Sequence, residues 1–226
     1  MSEIRTAAAE LKALLPHYIS TDSKDERASY FRGLMAKTAD SLTAIDMLMT
    51  SGAIWPLHCR WIVEAFGYAA ALNNDAKVID QIKKAGLNTY LLITDVDDAQ
   101  RKNILGSLNL PSLPKIETLL NNFDREMGAK EGRLYKIYRL LCEYAHFEFY
   151  RTVAYPALGV EAPDVLEKGK ELFLKTTIAC ALSLPAFAHC PPYCGFDNKY
   201  FRKITNLQEK SWKGVAEYAA KKDSSY

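Results

Sequence analysis

No run of about 18 uninterrupted apolar residues occurs in the chain, so no segment reads as a bilayer-spanning helix. The N-terminal stretch M-S-E-I-R-T-A-A-A-E lacks the apolar core of a secretory signal. Charge of one sign is not in excess either: 29 lysines and arginines stand against 27 aspartates and glutamates. That balance offers no broad electrostatic footprint for nucleic acid or a membrane surface, and an RNA partner would have to meet a local patch. There is no G-x-S-x-G elbow, no Walker or G-x-G-x-x-G phosphate loop and no H-E-x-x-H zinc helix. These absences point to a soluble, cytoplasmic protein with no membrane partner and no cofactor.

Disulfide frameworks are excluded on similar grounds. The five cysteines, Cys59, Cys142, Cys180, Cys190 and Cys194, are an odd number, and three of them sit in apolar helical stretches where free cysteine behaves as a small hydrophobe. In H-C-P-P-Y-C, His189, Cys190 and Cys194 cluster, yet a structural zinc site needs a second ligand pair that the sequence does not supply. The expected reading is a proline-stiffened loop after a helix, with no metal. The acidic group Asp95, Asp97 and Asp98 lacks the glycine and terminal glutamate of an EF-hand loop and reads as a helix cap and solvated turn.

What the chain does contain is helical periodicity over nearly its whole length. It has 226 residues, 49% of them hydrophobic and 25% charged, enough apolar material for one sizeable core. A leading helix is expected over Ser2–Leu15, stopped by Pro16, and a long one over Asp25–Met49, capped by Thr21 or Asp22. Ala53–Leu72 is apolar on most sides, accepts Pro56 in its first turn, and should be central. Residues 75–108 read as two helices or as a helix followed by a short strand, with helices broken near Gly86 and Asp95 the favoured reading, and a further helix begins at Ile116 and ends at Gly128. Glu131–Tyr150, Pro163–Ala188 and Thr205–Lys221 complete the set. The expectation is a single all-α domain spanning 1–226, a bundle of about seven to eight helices, with the leading helix (1–20) and the C-terminal helix (200–226) peripheral.

Two of these helices carry charge among apolar neighbours. In R-W-I-V-E-A, Arg60 and Glu64 stand four apart. In Y-K-I-Y-R-L-L-C-E-Y-A-H-F-E-F, Arg139, Glu143 and His146 follow Tyr135 along one stripe. An unpaired buried charge would cost several kcal/mol, so the economical arrangement has the two helices facing one another, with Arg60 pairing Glu143, or Glu64 pairing Arg139 or His146. Such a cluster would either fix helix register as an internal hydrogen-bond network or form the polar floor of a site for a small molecule or peptide, with Tyr135 beside it. A purely structural module docking through an exposed C-terminal helix around Trp212 is a third reading. Cys142 and His146, four apart, read as a buried cysteine beside a hydrogen-bonded histidine.

Arg139 followed after six residues by His146 resembles the R-x(4–6)-H motif of the HEPN superfamily, which includes RNA-cleaving toxins and phage-defence ribonucleases. R-W-I-V-E-A together with Y-R-L-L-C-E-Y-A-H also resembles a widespread group of uncharacterised bacterial helical proteins carrying an R-x-x-x-E helix and a Y-x-x-L-[SC]-x-x-x-H helix. The second likeness brings no reaction with it. The first implies metal-independent RNA cleavage in which His146 moves a proton, Arg139 stabilises the phosphorane, and a homodimer builds the composite site.

Overall fold

Local chemistry sets each helix boundary. Ser2 accepts the Arg5 amide and opens α1 (Glu3–Leu14), which gives way to a 3-10 turn at Leu15–His17 around Pro16. A two-residue strand, β1 (Ile19–Ser20), follows. The cap of α2 (Glu26–Leu48) is Asp25, whose Oδ1 accepts the Ala28 amide at 3.1 Å. This corrects the expected cap: Thr21 instead donates its hydroxyl to the Tyr193 carbonyl at 2.9 Å. The computed structural model describes residues 2–21, 25–49, 55–94, 96–108, 112–128, 132–149, 157–159, 165–191 and 193–223, with no side-chain description for 144–149, 165–168 and 221–223.

Beyond α2 the chain forms α3 (Trp55–Asn74), α4 (Val78–Leu92), α5 (Asp98–Ser107), α6 (Ile116–Glu126), α7 (Arg133–Phe149), α8 (Val165–Ala188), β2 (Cys194–Gly195) and α9 (Asn198–Asp223). The protein is thus all-α, with nine helices among the described residues. The expected break at Gly86 is absent, because one glycine costs a helix only about 1 kcal/mol and α4 runs straight through it. Asp97 caps α5 by accepting the Gln100 amide at 2.8 Å, as the acidic turn predicts; Asp95 lies outside the described residues. Gly128, at φ 63°, supplies the left-handed residue that ends α6.

The core is continuous through α1–α4 and α6–α9. Helix α3 lies at its centre, packed by α2, α6, α7 and α8. Phe66 of α3 is fully buried and meets Phe123 of α6 edge-on at 4.6 Å, Phe187 of α8 at 5.5 Å and Trp212 of α9 at 5.8 Å. Trp212 is half-buried rather than exposed, and its indole N–H donates to Ser183 Oγ at 3.0 Å. Helix α1 buries Ile4, Ala7, Ala8, Leu11 and Leu14 against α2 and α8, and α9 packs along α8. The α8 segment Gly169–Ala188 has the length and hydropathy of a membrane span, but 67% of its apolar window is buried inside the protein, as a core helix requires.

Where α8 ends, the chain folds back on itself. Cys190 and Cys194 form an antiparallel bridge, and β2 then pairs with β1 in the register Ile19 to Gly195 and Ser20 to Cys194. Gly195 has φ 147°, and a Cβ there would overlap the His189 ring. That ring is stacked on Phe201 at 3.8 Å, and its Nδ1 accepts the Phe196 amide at 3.1 Å. An accepting Nδ1 carries no proton, and burial independently lowers the basicity of His189; burial followed by Lys37 does the same for His58. Since both folded-state pKa values lie below the ordinary 6.5, the unfolded chain binds protons that the fold refuses as pH drops below that value. Stability is therefore expected to be level above about pH 7 and to fall below it. Melting temperatures between pH 7.5 and 5 check this, and His189→Asn, which retains an acceptor without titrating, should flatten part of the slope.

Candidate functional site

Helices α3 and α7 do pack against each other, but the charges they carry do not meet as expected. The inward stripe of α7 is Leu134, Ile137, Tyr138 and Leu141, all buried. Arg139 and Glu143 lie one residue further round, on the outer face. They pair with each other at 3.2 Å, their side chains 57% and 60% exposed, and Tyr135 adds a hydrogen bond to Arg139. An internal Arg60–Glu143 or Glu64–Arg139 pair is therefore absent, because a rotation of about 100° separates Arg139 from the buried stripe. The side chain of His146, and with it the His146 pairings, lies outside the described residues.

In place of the expected pairs is a seam with different members. Arg60, Glu64 and Tyr68 sit four residues apart along a half-buried edge of α3. The Arg60 guanidinium reaches Tyr138 of α7, its carbon 5.8 Å from the ring centre, and hydrogen-bonds the hydroxyl. Tyr138 in turn hydrogen-bonds Cys142. Burial, the Cys142 contact and the Glu64 charge push the Tyr138 phenol up to about 12, so it stays protonated as a donor at neutral pH. Burial works against the Arg60 charge, yet the Tyr138 hydrogen bond and the nearby Cys142 and Glu64 outweigh it and hold the guanidinium above its usual value. The row continues through Tyr68, raised by burial and by Glu64, to Tyr30 of α2, pushed up to about 12 mainly by burial.

One donor in this seam is unused. Arg60 Nε is buried and meets no acceptor, and no carboxylate among the described residues lies within ion-pair distance of Arg60. A guanidinium with a spare buried N–H beside a protonated phenol is chemically an anion receptor: it offers donors and positive charge to an oxyanion.

A second concave feature was not anticipated. A groove of about 500 Å³ runs between α1, α8 and α9, floored by Ala7, Ile178, Leu182 and Leu207. Its rim sets Glu3, Glu10 and Glu217 against Lys175, Lys210 and Lys213. Lys175 lies near Glu3 and Glu171, and Lys213 near Glu217, so the rim is electrically balanced and favours no ligand charge. The packing of α1 against the consecutive helices α8 and α9 creates this groove, and no local motif announces it.

No group of three or more His, Cys, Asp or Glu among the described residues could hold an ion, and His189 already spends Nδ1 on Phe196. The class defined by fold and site is an all-α bundle whose central helix carries a tyrosine-lined arginine. No protein-family model, curated protein or solved structure matches the chain.

Proposed function

We propose that the protein is a soluble, cytoplasmic ligand-binding bundle that takes a small anionic molecule at the α3–α7 seam. The observation that carries this reading is the buried, unused Nε of Arg60 beside the Tyr138 hydroxyl. Arg27 Nε is likewise buried without a partner, but that guanidinium spends its two terminal nitrogens on the Leu72 and Phe187 carbonyls, whereas Arg60 has only the Tyr138 ring and hydroxyl; an unpaired buried donor costs about 1–3 kcal/mol. Glu64 sets polarity at one end of the seam, and Tyr138 supplies a neutral donor aimed with Arg60.

The test is melting of the protein in inorganic phosphate, acetate and benzoate, with Arg60→Met beside wild type. A ligand present at 100 times its Kd should add about 2.7 kcal/mol to unfolding, and Arg60→Met should bind at least tenfold more weakly while remaining folded. If no anion shifts the melting temperature and Arg60→Met is the more stable protein, the seam is structural.

The HEPN-like ribonuclease is a second reading, favoured by the exposure of Arg139 on α7, where a composite homodimer site would need it. Under it, Arg139 would leave Glu143 to meet the phosphate. Labelled total RNA incubated with wild type and Arg139→Ala in EDTA separates the two readings: cleavage by wild type alone supports the ribonuclease, and intact RNA in both removes it.

A further inference from the structure

The turn that closes α8 onto β2 places two thiols side by side. Cys190 and Cys194 are directly opposed across the antiparallel bridge, and they exchange both backbone hydrogen bonds, at 2.8 Å from Cys190 N to Cys194 O and 3.1 Å in the reverse direction. Opposed residues of such a pair project to the same face, with Cα atoms about 5.5 Å apart, inside the roughly 4.4–6.8 Å window of disulfides. In a hydrogen-bonded pair the Cβ atoms lie toward the wide end of about 4.5–5.5 Å, so they need to close by about 1–2 Å. Both cysteines are free, and both pack on the core, Cys194 buried and Cys190 half-exposed. The Cys194 thiol makes a weak S–H contact to the Ala188 carbonyl at 3.6 Å and a hydrogen bond with Tyr18, whose hydroxyl donates to the same carbonyl at 3.2 Å.

We propose that Cys190 and Cys194 are a reversible dithiol–disulfide modification site that reacts with small-molecule disulfides. The half-exposed Cys190 attacks the oxidant R–S–S–R as its thiolate, forming a Cys190–S–S–R mixed disulfide and releasing one RS⁻. Cys194 then attacks the Cys190 sulfur, forms the intramolecular bond and expels the second RS⁻. The protein loses two electrons and two protons, and the oxidant leaves as two thiols. Two of the other three cysteines are not placed to compete: Cys59 and Cys180 are fully buried, and burial raises both thiols, most of all Cys180, away from the reactive thiolate. Cys142 is on α7, in contact with Tyr138.

The bond would act on the N-terminal clasp. Tyr193, inside the loop the disulfide closes, accepts both the Thr21 amide and the Thr21 hydroxyl at 2.9 Å, and Ser20 is paired with Cys194 itself. Oxidation removes the freedom of the acceptor turn and so should slow opening of β1.

The experiment is native protein equilibrated with oxidised and reduced glutathione, then alkylated and digested with chymotrypsin. Cleavage after Phe187, Tyr193 and Phe196 leaves the two cysteines on different peptides, joined only if the bond has formed. The expected result is loss of two alkylatable thiols per chain, a linked peptide pair that reduction separates, and severalfold slower hydrogen exchange at the Thr21 amide in the oxidised protein. Cys190→Ser should show neither the linked pair nor the slowing, while its melting temperature reports that it is folded. Persistent alkylation of Cys190 at high oxidant, or a glutathione adduct that Cys194 fails to resolve, overturns the proposal.

Discussion

Phe66→Ala is expected to cost about 3–5 kcal/mol, the range for truncating a fully buried phenylalanine. The ring is inaccessible to solvent and touches aromatic partners from α6, α8 and α9 at once, at 4.6, 5.5 and 5.8 Å. Neighbouring rings cannot collapse into the space freely, because Phe123 and Trp212 already hold each other at 5.7 Å and Trp212 is tethered to Ser183. The cavity term should therefore be paid nearly in full. Set against a typical total of about 5–15 kcal/mol, the loss removes a large share of stability. Urea unfolding followed by circular dichroism should show a lower midpoint with an unchanged slope, and Phe66→Leu a smaller shift. A loss under about 1 kcal/mol for Phe66→Ala would mean that the four-helix junction is not organised around this ring.

Arg27→Ala is the second large effect, expected at about 2–3 kcal/mol from the loss of charged hydrogen bonds to carbonyls left without partners. The guanidinium bonds the Leu72 carbonyl at 3.3 Å, the Asn73 side chain at 3.3 Å and the Phe187 carbonyl at 3.2 Å, and lies over the Phe31 ring at 5.4 Å. Leu72 and Phe187 belong to the last turns of α3 and α8, so one cation serves the negative ends of two helix dipoles. Lysine carries the charge but not the planar fork, and Arg27→Lys should recover less than half of the loss. Hydrogen exchange should accelerate in the last turns of both helices in Arg27→Ala. Acceleration confined to one of them would show that the arginine is not a shared cap.

The helices themselves were legible because their apolar periods are long. Phe31, Leu34, Met35, Thr38, Leu42 and Ile45 recur at three- and four-residue steps, and all are buried on α2. The seam was half legible. Arg60 and Glu64 stood out in an apolar helix, but their partner Tyr138 reads in the sequence as ordinary core, and the conspicuous Arg139 and Glu143 drew the stripe one residue off. The period was present all the same: Leu134, Ile137, Tyr138 and Leu141 follow the i, i+3, i+4, i+7 rule that assigns the inward face. Charge identifies where burial would be expensive; only apolar phase shows which way a helix is turned. Arg27 left no signal at all, since the carbonyls it caps lie 45 and 160 residues away.

The β1–β2 clasp has a consequence for biosynthesis. Tyr18 and Thr21 find their partners 170 and 172 residues later, at the last residue of α8, which covers part of α1, and just beyond it. At a synthesis rate of about 5–20 residues per second, on the order of 10–30 s pass before the strand that receives β1 has been made. Throughout that interval the apolar stripe of α1 has α2 as its neighbour and nothing on its other flank. The nascent chain is thus most vulnerable to wrong partners along α1, long after that helix has been made.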